Sequence, residues 1–151
     1  MKIIGITGGV GAGKTKILSY IGAHYRCRII RADEAAHLLY EPGQECYHRL
    51  VELLGQEILN ADGTIHKGKM AELIFGDKRL LDGVNKVIHP AVKKYILSQI
   101  ADEKEKGEAD YFFIEAALLI EEHYDQIVDE MWYVHSDAAL REKTVQRTED
   151  S

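Results

Sequence analysis

The stretch GITGGVGAGKTK, Gly5 to Lys16, limits what this chain can fold into more than any other. It sets five glycines behind the apolar run KIIGIT and ahead of Ile17, Leu18, Ile21 and Tyr25, which recur at helical spacing. Glycine loses more conformational freedom on folding than any other residue, so such a cluster marks a main chain that turns through positive φ or approaches something closely. Gly8, Gly13, Lys14 and Thr15 satisfy G-x-x-x-x-G-K-[ST] without a mismatch, between a strand and a helix as that motif requires. The backbone N–H groups around Gly8, Gly9, Gly11, Ala12 and Gly13 can then turn inward on phosphate oxygens. The positive end of the helix starting near Lys14 adds to the same anion site. Lys14 brings a point charge to the outer phosphates, and the Thr15 hydroxyl can enter the Mg²⁺ shell. Nucleotide binding, with ATP and Mg²⁺ as the ligands, is the reading.

Around this motif the pattern alternates. KIIGIT, RCRIIR, YFFIE and MWYVH read as short buried strands, the first two joined through the glycine loop and a helix. Tyr47, Leu50, Val51 and Leu54 keep a helical period that stops at Gly55, and NADGT turns through Asp62 and Gly63. Leu80, Leu81, Val84, Val87 and Ile88 form a further helix. The HP pair, His89 and Pro90, is expected to end it, because a residue ahead of proline is pushed out of the helical region. Val92, Tyr95, Ile96, Gln99 and Ile100 then start another helix, which runs into ADEKEKGEAD, read as an exposed charged linker. Helical sequence is expected after each of the last two strands. The sum is an α/β class: a P-loop kinase-type three-layer fold, with a parallel sheet covered by helices and ligands at the carboxyl ends of the strands.

A length of 151 residues, 46% of them hydrophobic, suits one globular domain with one sizeable core. Nineteen basic against 25 acidic residues leave a net charge of −6, which argues against nucleic acid or an anionic membrane surface as partner. Any anion must therefore be held locally. Cys27 and Cys46 lack metal-ligand spacing and suit a reduced, cytoplasmic protein, with no apolar run long enough to span a bilayer.

Asp33, in IIRADEAAHLL, follows the second strand by a residue or two and should stand on the same rim of the sheet as the cradle. Two roles suit it: general base toward a hydroxyl in line with the γ-phosphate, or N-cap of a helix starting at Glu34.

IIGITGGVGAGKT, RADE, YEPGQ, ILNADGTI, VIHP and EAALLIE together resemble the dephospho-coenzyme A kinase family, in that order and with similar separations, from Met1 to about Arg147. The resemblance implies transfer of the γ-phosphoryl group of ATP to the ribose 3′-hydroxyl of dephospho-coenzyme A. It implies Asp33 as base and a helical substrate-side subdomain at about 36–108. It puts His89 near the acceptor, although a histidine ending an apolar helix is equally a cap or a packed core residue. Glu115 would hold a magnesium-bound water and Glu121 would face the substrate, the plain alternative for both being a solvated loop. Thr7 also matches and either meets the substrate or buttresses the loop.

Departures from the pattern accompany the match. Lys16 stands where the family has a threonine hydroxyl near the α-phosphate, its charge being the available compensation, and Ala117 replaces a proline. The family pattern continues into a lid and a last strand beyond QRTEDS, so that the lid and last strand are expected to be absent here. Arg147 is either the first lid arginine, over the nucleotide, or the end of a helix. An unpaired sheet edge beside MWYVH or KIIGIT is then expected. The alternatives are another P-loop small-molecule kinase, of nucleoside or shikimate type, or a catalytically weak nucleotide-binding module.

Overall fold

The computed structural model describes residues 1–8, 13–117, 119 and 122–134, and the backbone of 145–148. Two compact units divide the chain: Met1–Ala32 with Ser98–Ser151, and Asp33–Leu97.

The first unit holds the sheet, in the order β2-β3-β1-β4-β5, with β1 (Lys2–Gly8), β2 (Cys27–Arg31), β3 (Tyr111–Glu115) and β4 (Glu130–Val134) mutually parallel. The period-2 alternation of each strand sorts its side chains between two faces. One face carries Ile4, Ile6, Phe113 and Val134, which pack on Leu18 and Ile21 of α1 (Lys14–His24). On the other face, a Cβ added at Gly5 would lie 3.0 Å from Leu119 and 3.4 Å from Val128. Covering both faces with apolar groups is what the near-continuous hydrophobic strands required.

β5 (Val145–Thr148) runs antiparallel along β4, pairing Trp132 with Arg147. This corrects two expectations. The edge beside MWYVH is covered, and Arg147 lies in a strand, not at the end of a helix. Antiparallel pairing of four residues leaves almost no local signal, since the partner strand supplies the register.

In the second unit α2 (Ala32–Leu39), α3 (Glu45–Leu54), α4 (Lys67–Phe75) and the first part of α5 (Lys78–Lys106) enclose Tyr40, Cys46, Leu50, Leu54, Ile58, Ile65, Met70, Val84 and Val87. The NADGT turn forms with Gly63 at φ 88°, and the Asp62 carboxylate accepts from the Thr64 amide and hydroxyl. Both cysteines are free thiols, and burial pushes each above the ordinary thiol value.

α5 departs most from the sequence reading: it passes through His89 and Pro90 without a break for 29 residues. A proline inside a helix costs about 3 kcal/mol. Val84, Val87, Val92, Ile96 and Ile100, on both sides of it, are all buried on one continuous stripe, each contributing about 1.5–3 kcal/mol. The stripe outweighs the proline, and Pro90 sits on the exposed side, where the carbonyl it leaves unpaired can meet water. The helix also continues through most of the charged run and stops at Gly107, φ 65°. That run is not all surface: Glu103 is 8% exposed and meets Arg28 of β2 at 3.2 Å.

Gly8 closes β1 against β4 so tightly that a Cβ there would sit 2.4 Å from the Val134 carbonyl oxygen. Backbone cannot yield as a side-chain tip does. Gly8→Ala is therefore expected to destabilise the fold by about 1–3 kcal/mol, read as a lower denaturant midpoint at unchanged slope. An unchanged midpoint would mean that β4 relaxes freely at that point.

Candidate functional site

β1 ends at Gly8 and α1 begins at Lys14, so the glycine loop joins the carboxyl end of the central strand to a helix N-terminus. Gly9, Gly11 and Ala12 lie outside the described residues, as does Glu121. Gly13, the residue before the helix, has φ 80° and ψ 15°, a left-handed conformation that glycine takes without the Cβ penalty. It offers no side-chain cap, and the first turn of α1 contains no acidic residue. A helix start normally has its orphan N–H groups satisfied by a cap or drawn toward a carboxylate. Here Lys14, Thr15 and Lys16 occupy that turn, leaving an electropositive end suited to an anion from outside the chain.

Lys14 Nζ lies 2.7 Å from Glu115 Oε1, with side-chain exposures of 18% and 13%. Glu115 ends β3, paired in register with Ile6 of β1 on one side and Arg31 of β2 on the other. The lysine of the motif and the candidate metal carboxylate thus form an ion pair at the carboxyl rim of the sheet. Sequence reasoning missed this pairing, since the partners are remote along the chain; only the shared strand-end position of Ile6 and Glu115 could have signalled it. Thr15 and Lys16 are exposed on the first turn. Thr7 donates its hydroxyl to the Ala117 carbonyl at 3.2 Å, which ties the end of β1 to the segment after β3. Among the described residues no group of three or more His, Cys, Asp or Glu side chains could hold a metal. The donors present are the Thr15 hydroxyl and the Glu115 carboxylate, a set that fits Mg²⁺ carried mainly by phosphate oxygens and water.

Asp33 belongs to the second unit, in the first turn of α2, which begins at Ala32 directly after β2. Its Oδ1 accepts from the Glu34 amide at 2.9 Å, so the carboxylate serves a helix-start donor, with the helix beginning two residues earlier than the sequence suggested. It is exposed and lines a cleft of about 410 Å³ with Glu34, His37, Leu38 and Lys67. His37 Nδ1 lies 3.1 Å from the Tyr40 hydroxyl. Burial pushes that hydroxyl above its ordinary value, so it stays protonated. His89 is half-buried in the interior of α5 and caps no helix end. The backbone of Arg147 lies in β5.

A parallel sheet whose central strand runs through a glycine loop into an open, lysine-bearing helix start defines a P-loop kinase fold. Comparison with known proteins narrows this. Residues 2–151 match the dephospho-CoA kinase family. A dephospho-CoA kinase of Dehalococcoides mccartyi is 36% identical over 89% of this chain and 66% of its own length. That of Listeria monocytogenes is 38% identical over 86% and 64%. That of Streptococcus agalactiae is 36% identical over 97% and 72%. Among solved structures, a Thermus thermophilus protein superposes with TM-score 0.71 at 23% identity, over 88% of this chain and 64% of its own. A Campylobacter jejuni dephospho-CoA kinase gives 0.67 at 19%, over 89% and 66%. The chain belongs to the dephospho-CoA kinase family. It spans about two thirds of the length of the first curated relatives it matches.

Proposed function

We propose that this chain transfers the γ-phosphoryl group of ATP to the ribose 3′-hydroxyl of dephospho-coenzyme A, giving coenzyme A and ADP. The observation that carries the reading is the start of α1: a left-handed glycine, no cap, no acidic residue, and Lys14 held beside it by Glu115. Membership of the family supplies the substrate class.

In this reading the first turn of α1 and the glycine loop bind the phosphates, and Lys14 leaves Glu115 to meet the outer ones. Magnesium, when bound, would offset the negative charge of the phosphates. Thr15 and the released Glu115 are the residues to hold it or its water. Lys16 stands near the α-phosphate, and Arg147 serves the nucleotide. Asp33 accepts the proton of the acceptor hydroxyl as its oxygen attacks phosphorus. Asp33–Leu97 is the substrate-side subdomain, contributing His89, with Thr7 and Glu121 also toward the acceptor. A reduced, cytoplasmic setting suits two free thiols, and no helix among the described residues is long and apolar enough to cross a membrane.

A coupled assay for ADP release tests this. Release should require both Mg²⁺ and dephospho-coenzyme A; release indifferent to the acceptor, or none at all, would refute it. Glu115→Gln gives a finer check, because one carboxylate is assigned two successive tasks. Calorimetry without Mg²⁺ should find ADP bound by the variant at least as tightly as by the parent, since Lys14 no longer has to leave a carboxylate. The tightening on adding Mg²⁺ should be lost in the variant alone. Equal magnesium dependence in both proteins would remove Glu115 from the metal.

A further inference from the structure

The cleft that contains Asp33 is lined by two carboxylates, a histidine, a leucine and one cation, Lys67. We propose that Lys67 binds the acceptor substrate by its diphosphate, so that the adjoining ribose presents its 3′-hydroxyl to Asp33. This rests on the kinase reading above and adds to it the residue that recognises the anionic part of the acceptor.

Three observations support it. First, among the described residues Lys67 is exposed and joins none of the ion pairs, so its ammonium has no structural employment. The start of α4 is served by its neighbour instead, His66 Nδ1 accepting from the Lys69 amide at 3.0 Å. A cation in a first helical turn opposes the helix dipole, so nothing local favours a charge of this sign there. Second, the acceptor is a dianion at its diphosphate, and it must enter a cleft carrying Asp33 and Glu34 on a protein of net charge −6. Like charges repel it unless a cation in the cleft offsets them. Third, diphosphate and reacting hydroxyl belong to one ribose. A cation and a base lining a single cleft of about 410 Å³ can therefore meet the 5′ and 3′ substituents of one sugar. His37 adds a polar ring to the lining, and Leu38, 50% exposed, adds an apolar wall.

The test is steady-state kinetics with acceptor and ATP varied separately, together with calorimetry of dephospho-coenzyme A while a non-hydrolysable ATP analogue saturates the donor site. Lys67→Ala is expected to raise KM for dephospho-coenzyme A at least tenfold, leaving kcat within threefold and KM for ATP within twofold. Lys67→Arg should restore KM to within threefold of the parent. The parent's KM for the acceptor should rise with ionic strength, and that dependence should be weaker in the alanine variant. Because Lys67 is exposed, the thermal midpoint should not move. If the parent turns over and Lys67→Ala keeps its acceptor KM, this proposal fails and the kinase reading stands. If the parent neither binds nor phosphorylates dephospho-coenzyme A, both fail together.

Discussion

Lys14→Ala is expected to lower phosphoryl transfer at least a hundredfold, about 2.7 kcal/mol of barrier, with little loss of fold. Lys14 is the side chain that can move a full charge from a carboxylate, 2.7 Å away, onto the transferring phosphates. The backbone donors of the cradle and α1 remain in the variant, so nucleotide binding should weaken while persisting. Breaking the Lys14–Glu115 pair leaves a carboxylate that is 13% exposed. The stability change should therefore fall between those of exposed and fully buried pairs, no more than about 2 kcal/mol. Turnover and thermal denaturation measured on the same samples separate the two effects. Turnover within about threefold of the parent, under ~1 kcal/mol of barrier, would show that Lys14 is not the group on the phosphates.

Asp33→Asn should separate binding from chemistry. The amide oxygen keeps the shape of the carboxylate and can still accept from the Glu34 amide, so α2 keeps its start. What disappears is a group able to take a proton. Phosphoryl transfer should fall by ~10² to 10⁴, the usual effect of losing a general base, with ATP affinity unchanged. Proportionate losses of ATP affinity and rate would instead make Asp33 a helix-start residue and nothing more.

The features legible in the sequence were those whose cause is local. The glycine loop between a β-branched run and a helical period could be read because Gly8, Gly13, Lys14 and Thr15 form a motif that lies within eight consecutive residues. The strands at Lys2, Cys27 and Tyr111 carried their own burial pattern. What escaped depended on distant partners. Pro90 argued locally for a helix end, but the buried stripe from Val84 to Ile100 decided otherwise. Glu103 looked like one more solvated charge because Arg28, which holds it, lies 75 positions away. Lys67 drew no notice in the sequence, because only the fold places it in one cleft with Asp33. The Lys14–Glu115 pair joined two residues already singled out separately, without revealing that each holds the other.

The place of β1 in the sheet has one more consequence, for stiffness. Ile4, Gly5 and Ile6 pair with β3 on one flank and β4 on the other, whereas β2 pairs with β3 alone among the described residues. A strand clamped on both flanks opens only by breaking two ladders at once, so its amide protons are expected to exchange mainly through global unfolding. An edge strand can peel by itself. The strand that leads toward Lys14 should thus exchange slowly, and the chain entering Asp33 leaves from β2, an edge among the described residues. Thermal fluctuation should therefore reach the acceptor-side carboxylate well before it disturbs the origin of the phosphate cradle.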